Sequence, residues 1–572
     1  MARRRIVHIS FIMVSMMTLL FSAVNVSMAA DTRFKRGQDL LVLGEGANQL
    51  SLYLSPSIPS AKIADLPAGI VVHVISDPIK VMGVTWIRVR GYPVEGWASV
   101  IDNGEPAFSL YTDELDAEVT AQAEAAVRQN PDDGEAFYRL GIVHMNHENY
   151  EAAIEAFSEA NSPDSELTAL ILYFRGLAYY RLEQYDDALT NLNAAILIDP
   201  KRVFFYTERG NVYSELGNPW QAIAEFDEAI RRNQYYLSAH NNRGIAFSNM
   251  GYTDEALKEY NFVLEQEPLY SRVYNNRAVL YNQLGEYQAA ITDLEQAIEI
   301  EPDYATPVVN LGDTYRLLGR YDEALAALDK ALKIEPDSTF AYATRGLTYA
   351  DMGRLEDALA DYQYVLQLDP DDSDAYYNVG TIYYQYSMYD LAIENLSRAI
   401  ELNPGYLAAY QNRGLSYEGI GEYDAAISDF NQAIAIWPDF VLAHAQLCEV
   451  YLYAEEYEQT IDACTQTLEY RPDDVWALWS RAEAYSYAGY TLQALADFQR
   501  LIELEPDNAA YYYDMIGELY FRLERYEEAL ETYELVIELD PSYEAGYSKT
   551  FDTLRELIAA EATPEATPPV VP

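Results

Sequence analysis

The sequence predicts a mostly α chain: a file of short helical hairpins behind a small β unit. Three observations carry this. Prolines recur on a fixed grid, with Pro200, Pro268, Pro302, Pro336, Pro370, Pro404, Pro438, Pro472 and Pro506 at 34-residue steps, Gln234 at the one missing step and Pro541 following after 35. Ahead of the grid, residues 31–112 show apolar alternation broken by glycines, the pattern of short strands. The chain has 572 residues, 50% hydrophobic and 13% aromatic, so it is neither wholly disordered nor a single ordinary core of about 50–250 residues.

Taken in order, residues 1–30 read as a signal peptide. Arg3, Arg4 and Arg5 precede an uncharged apolar run from Ile6 to about Val24, and Ser27-Met28-Ala29 offers small residues for cleavage after Ala29 or Ala30. An uncleaved signal anchor is the other reading, since the run is just long enough to span a bilayer. No cysteine follows that would take a lipid, and no later stretch approaches the ~20 apolar residues of a membrane helix. The expected location is extracytoplasmic: secreted, periplasmic or in the cell envelope.

Residues 31–112 form the β unit. Leu50, Leu52 and Leu54 alternate with polar residues, Ile70–Ile75 is rich in β-branched residues and Trp86–Arg90 alternates again, with Gly69, Gly83, Gly91 and Gly96 between the runs. The turn Leu66-Pro67-Ala68-Gly69, the strand Trp86-Ile87-Arg88-Val89 and the pair Gly96-Trp97 resemble the bacterial SH3-like barrel. That resemblance implies a small barrel that binds cell-wall peptides or protein ligands. The position where the family often has Arg after the first strand is Ser55. Trp86 and Trp97 read as packing residues.

The proline grid sets the register of the rest. With each repeat starting 31 residues before its proline, position 8 is small (Gly141, Gly210, Gly244, Ala278, Gly414, Cys448, Gly517), position 20 is Ala in eleven of twelve repeats, and position 24 is often large (Phe157, Phe226, Tyr260, Phe430). This pattern resembles the tetratricopeptide repeat (TPR), a helix-turn-helix unit of 34 residues. The resemblance implies a right-handed superhelical solenoid of about twelve repeats over residues 134–543, with a leading helix at 113–133, a capping helix at 544–560 and a disordered Pro/Thr-rich tail at 561–572. One hairpin cannot bury its apolar face alone, so neighbours must stack.

Two pairings follow from comparing the repeats. Position 7 is Arg in seven of them (Arg175, Arg209, Arg243, Arg277, Arg345, Arg413, Arg481), and position 23 of the same repeats is Asn191, Glu225, Glu259, Asp293, Asp361, Asp429 and Asp497. Where position 7 is aliphatic, position 23 is uncharged. If the turn falls near position 15 the two positions share a height, which predicts a polar clamp between the helices. Cys448 and Cys464, at positions 8 and 24 of repeat ten, are either a disulfide or two buried thiols.

The resemblance also implies that first helices line a concave ligand surface through positions 2, 5, 6, 9, 12 and 13. Position 6 holds Asn242, Asn276, Asn310, Asn378 and Asn412, amides suited to an extended peptide backbone. Position 9 becomes Glu449, Glu483 and Glu518 in the last three repeats, with Trp476 and Trp479 one helical turn apart, a combination suited to a basic segment.

The charge count is 38 Lys plus Arg against 91 Asp plus Glu, a formal net of -53. Residues 31–112 are near balance, with 7 basic and 8 acidic side chains, so the excess lies on the repeats. Nucleic acid and anionic membrane are therefore disfavoured partners, and the acidic face favours a monomer. No phosphate loop, nucleophile elbow or metal-binding motif is present, and His144 and His147 with Glu148 read as packing rather than ligation. The function expected is a non-enzymatic, cofactor-free adaptor for peptides or proteins. The alternative is a peptidoglycan-associated envelope module in which the β unit grips wall peptide and the repeats act as a spacer.

Overall fold

The computed structural model of the chain describes residues 112–561 and, ahead of them, residues 36, 38–42, 49–53, 62–67, 71–74, 79–81, 84–91, 95–99, 101–102, 105–106 and 108–110. The signal peptide, Ser55, the turn residues Ala68 and Gly69 and the tail from 562 onward lie outside them. The chain divides into two compact units, residues 1–344 and 345–572, the division falling within the helix Thr339–Asp351.

The first unit begins with strands. The three runs of alternating or β-branched residues form Gln49–Tyr53, Val71–Val74 and Val84–Gly91, and every strand pairing is antiparallel. Leu40, Val42, Val72, Val74 and Val89 are buried. A leading helix, Asp113–Gln129, follows; the Thr112 hydroxyl accepts from the Leu115 backbone N–H at 3.2 Å and caps it.

Twelve helix pairs follow in sequence, from Gly134–Asn146 with Tyr150–Glu159 to Ala509–Arg522 with Tyr526–Leu539, and a last helix, Glu544–Glu561, closes the chain one residue beyond its expected end. The 34-residue register places the turns. All twelve residues at position 15 have positive φ, seven of them glycine (Gly217 to Gly489) and five not: Glu148, Glu183, Ser387, Glu455 and Glu524. A single left-handed residue reverses the chain there, and glycine takes that conformation without a Cβ penalty.

The close approach of the paired helices explains positions 8, 20 and 24. Position 20 is 0% exposed in both units, as at Ala153, Ala222, Ala290, Ala392 and Ala529. A Cβ added to Gly210 would meet the Phe226 ring at 2.5 Å, and one on Gly414 would meet Phe430 at 2.6 Å. Glycine at 8 thus makes the socket that the large residue at 24 fills. In repeat ten the same two positions carry a disulfide between Cys448 and Cys464, 16 residues apart, as each Gly–aromatic pair is.

The clamp between positions 7 and 23 is present in all seven repeats that carry Arg. Arg277, Arg345, Arg413 and Arg481 each donate through Nε and Nη2 to both oxygens of Asp293, Asp361, Asp429 and Asp497, at 2.7–2.8 Å. Arg209 and Arg243 reach Glu225 and Glu259 at 2.7 Å, and Arg175 donates to the Asn191 side chain at 2.7 Å. Most of these arginines reach further, to position 25 of the preceding repeat: Arg209 to Asn193, Arg243 to Asp227, Arg277 to Asn261, Arg413 to Ser397 and Arg481 to Thr465. One guanidinium therefore fastens its own hairpin and ties that hairpin to its predecessor.

Candidate functional site

With position 8 turned into the hairpin, positions 2, 5, 6, 9, 12 and 13 of each first helix remain for other contacts. The two units use that stripe differently.

In the first unit the amides bond to each other. Asn310 donates to Asn275 (2.7 Å), Asn275 to Asn276 (3.4 Å), Asn276 to Asn241 (2.9 Å), Asn241 to Asn242 (3.0 Å), Asn242 to Asn211 (2.8 Å) and Asn211 to the buried Glu208 carboxylate (3.2 Å). Every donor in this row points toward Glu208. The expected ladder at Asn242, Asn276 and Asn310 exists, but its rungs are spent sideways on the neighbouring repeat. A primary amide in such a row keeps one N–H and one lone pair for anything else.

In the second unit Asn412 donates to the Thr381 hydroxyl at 3.0 Å, and Asn378 is half-buried. Beyond them the stripe turns acidic. Glu449 and Glu483 are half-buried, and Glu518 is exposed. Glu518 pairs with Arg522 at 2.5 Å, and Glu449 accepts from the Tyr453 hydroxyl at 2.9 Å. Burial, reinforced by Glu518, pushes the Glu483 carboxyl up, and burial with that Glu449 bond raises the Tyr453 phenol to about 12. Sequence reasoning put position 12 on the stripe but did not single out the carboxylate there. Glu418, at position 12 of repeat nine, is held at a pKa of about 7 by burial and by the charge of Glu449. An acidic position 12 one repeat before an acidic position 9 was the signal available.

Trp476 and Trp479 face each other with ring centroids 5.1 Å apart. Trp476 is 47% exposed, while Trp479 is half-buried and donates its indole N–H to the Tyr511 hydroxyl at 3.3 Å. Directly after Trp479, at position 6, Ser480 is wholly buried and its hydroxyl has no hydrogen-bond partner; the Gln446 carbonyl oxygen at position 6 of repeat ten has none either. Elsewhere, His147 reaches the Asp116 carboxylate at 2.7 Å, and burial holds the His144 imidazole below its ordinary range. Among the described residues no cluster of His, Cys, Asp and Glu is placed to hold a metal ion.

Models of the tetratricopeptide repeat match residues 120–166, 269–337, 373–406, 408–440 and 510–543, and a TPR repeat model matches 176–217 and 346–387. The chain is built on tetratricopeptide repeats. Among solved structures, this TPR chain is similar to a tetratricopeptide repeat protein from Parabacteroides merdae ATCC 43184, at 20% identity over 43% of this chain and 98% of that one, with a TM-score of 0.38. It is also similar to MamA, at 28% identity over 29% and 91% with a TM-score of 0.26. YrrB, a TPR protein with an unusual peptide-binding site, matches at 24% identity over 32% and 95% with a TM-score of 0.26. No curated protein matches the sequence. None of the TPR matches includes the strands of residues 39–110. TPR arrays are interaction scaffolds, typically without an activity of their own.

Proposed function

We propose that this protein is an exported, non-enzymatic scaffold that holds an extended peptide or a partner protein on the first helices of its TPR array. The observation that carries the reading is the division of labour within each first helix. Its inward face is consumed by the hairpin, whereas the stripe of the last repeats keeps an exposed tryptophan, half-buried carboxylates and polar atoms without partners. Export is supported by the order of residues 1–30, and the buried disulfide suits an oxidising compartment.

The test is site-specific photo-crosslinking in the native host. A photoreactive residue at Trp476 or Leu442, both in the stripe at position 2, is expected to trap a partner, whereas one at the outer-helix residue Glu538 is not. Equal trapping at both faces, or none, would remove the scaffold reading. The antiparallel strands at 39–110 favour a second contact through an SH3-like barrel. If that unit grips wall peptide, the full chain should sediment with purified cell wall and a chain lacking residues 31–112 should not.

A further inference from the structure

We propose that the first-helix face of repeats nine to twelve is a receptor for a cationic peptide segment, whose lysine or arginine side chains enter the Glu418, Glu449, Glu483 and Glu518 column beside Trp476 and Trp479. This rests on the scaffold reading and names the chemistry of what the second unit holds.

Three independent features lead to it. The first is under-compensated charge. Glu418, Glu449 and Glu483 are half-buried on successive first helices and form no ion pair among the described residues; the one nearby cation, Arg522, is paired with Glu518 and only partly offsets the burial of Glu483. Like charges drawn partly out of water and toward one another are costly, and a bound cation removes that cost. The second is the tryptophan pair at 5.1 Å, which offers an exposed π face next to the carboxylates, the arrangement that holds ammonium and guanidinium groups. The third is unsatisfied hydrogen bonding at position 6: the buried Ser480 hydroxyl and the Gln446 carbonyl oxygen have no partners, whereas Asn242, Asn276 and Asn310 at the same position in the first unit bond along their amide row. Buried polar atoms are seldom left without a hydrogen-bond partner, and a bound peptide backbone would supply one to each. An acidic or phosphorylated segment would add to the repulsion, and charge complementarity therefore selects a basic one.

Binding also has a predicted proton dependence. Glu418 faces Glu449, Tyr384 and Tyr453, and its carboxyl titrates near pH 7. Lowering the pH through that value neutralises one wall of the column and weakens its hold on a cation.

The experiment uses the full chain and two fluorescent probes, a short peptide alternating lysine and alanine and its glutamate counterpart, followed by anisotropy. The lysine probe is expected to bind and the glutamate probe not. Glu449→Gln with Glu483→Gln should weaken binding by about tenfold or more, and Trp476→Ala by about fivefold. Glu534→Gln with Glu538→Gln removes the same formal charge from the exposed outer helix of repeat twelve and should leave binding within about twofold. Moving from pH 8 to pH 6 should weaken the unmodified protein, and Glu418→Gln should flatten that dependence. Equal losses in the two double variants, or equal binding of both probes, would overturn the assignment. So would a partner crosslinked at Trp476 through a segment lacking basic residues, a result that leaves the scaffold itself standing, whereas the absence of any partner removes both.

Discussion

At the scale of single residues, Arg413 and Asp429 show what the paired positions contribute. Asp429 is 3% exposed and both of its oxygens receive N–H groups from Arg413. Burial disfavours the charged guanidinium, and the two bonds to Asp429 more than reverse this, so the Arg413 pKa lies above its ordinary value. Removing one partner leaves the other buried and uncompensated. Asp429→Ala should therefore cost about 3–5 kcal/mol, and Arg413→Leu combined with Asp429→Ala clearly less. Urea denaturation followed by circular dichroism ranks them, and a double variant as unstable as the single one would reject the pairing as described. This clamp was legible because two positions change together within one chain. Its second hold was not: Asn193, Asp227, Asn261, Ser397 and Thr465 share no charge or size, only an oxygen at the right height. The amide row was half legible for a similar reason. Spacing put Asn242, Asn276 and Asn310 on one stripe, but only side-chain geometry reveals that Asn241 and Asn275 bridge them.

At the scale of the hairpin, the contact between positions 8 and 24 admits two chemical solutions. Most repeats use a glycine against a large side chain, and repeat ten uses a covalent bond. The sequence left Cys448 and Cys464 open between a bond and two thiols; the backbone decides it, with Cα atoms 4.8 Å apart. Closing a loop of about 16 residues is worth about 3 kcal/mol by the chain-entropy account. Reducing the bond should lower the urea midpoint of repeats near it, read by tryptophan fluorescence. Cys448→Gly with Cys464→Phe should recover much of the loss without a disulfide, since it copies into repeat ten the pairing that Gly414 makes with Phe430 in repeat nine. A midpoint indifferent to reductant would contradict the stabilising role. Helix boundaries were legible to within a few residues at this scale because proline and glycine punctuate every turn, whereas the acidic column was only partly so. Glu418 sits at a different position number from Glu449, and its burial depends on how successive first helices nest.

At the scale of the whole molecule, a formal charge of -53 must be carried by a surface that is largely helical. Such self-repulsion disfavours the compact state and is screened by salt. Raising sodium chloride from a few millimolar to about 0.3 M should raise Tm by about 2–4 °C, the equivalent of roughly 1 kcal/mol, while an uncharged osmolyte-matched control should not reproduce the full shift. A Tm unmoved by salt would mean that the outer helices already neutralise themselves through neighbouring ion pairs such as Arg320 with Glu323 and Arg525 with Glu528.

The backward reach of the arginines also bears on how such a chain changes length. The acceptor each one seeks on its predecessor is chemically undemanding, so if one 34-residue unit were excised, the newly adjacent neighbours would find the same join ready-made. Copying or losing whole units would then leave no loose end to mend, and genes of this kind can grow or shrink in modules.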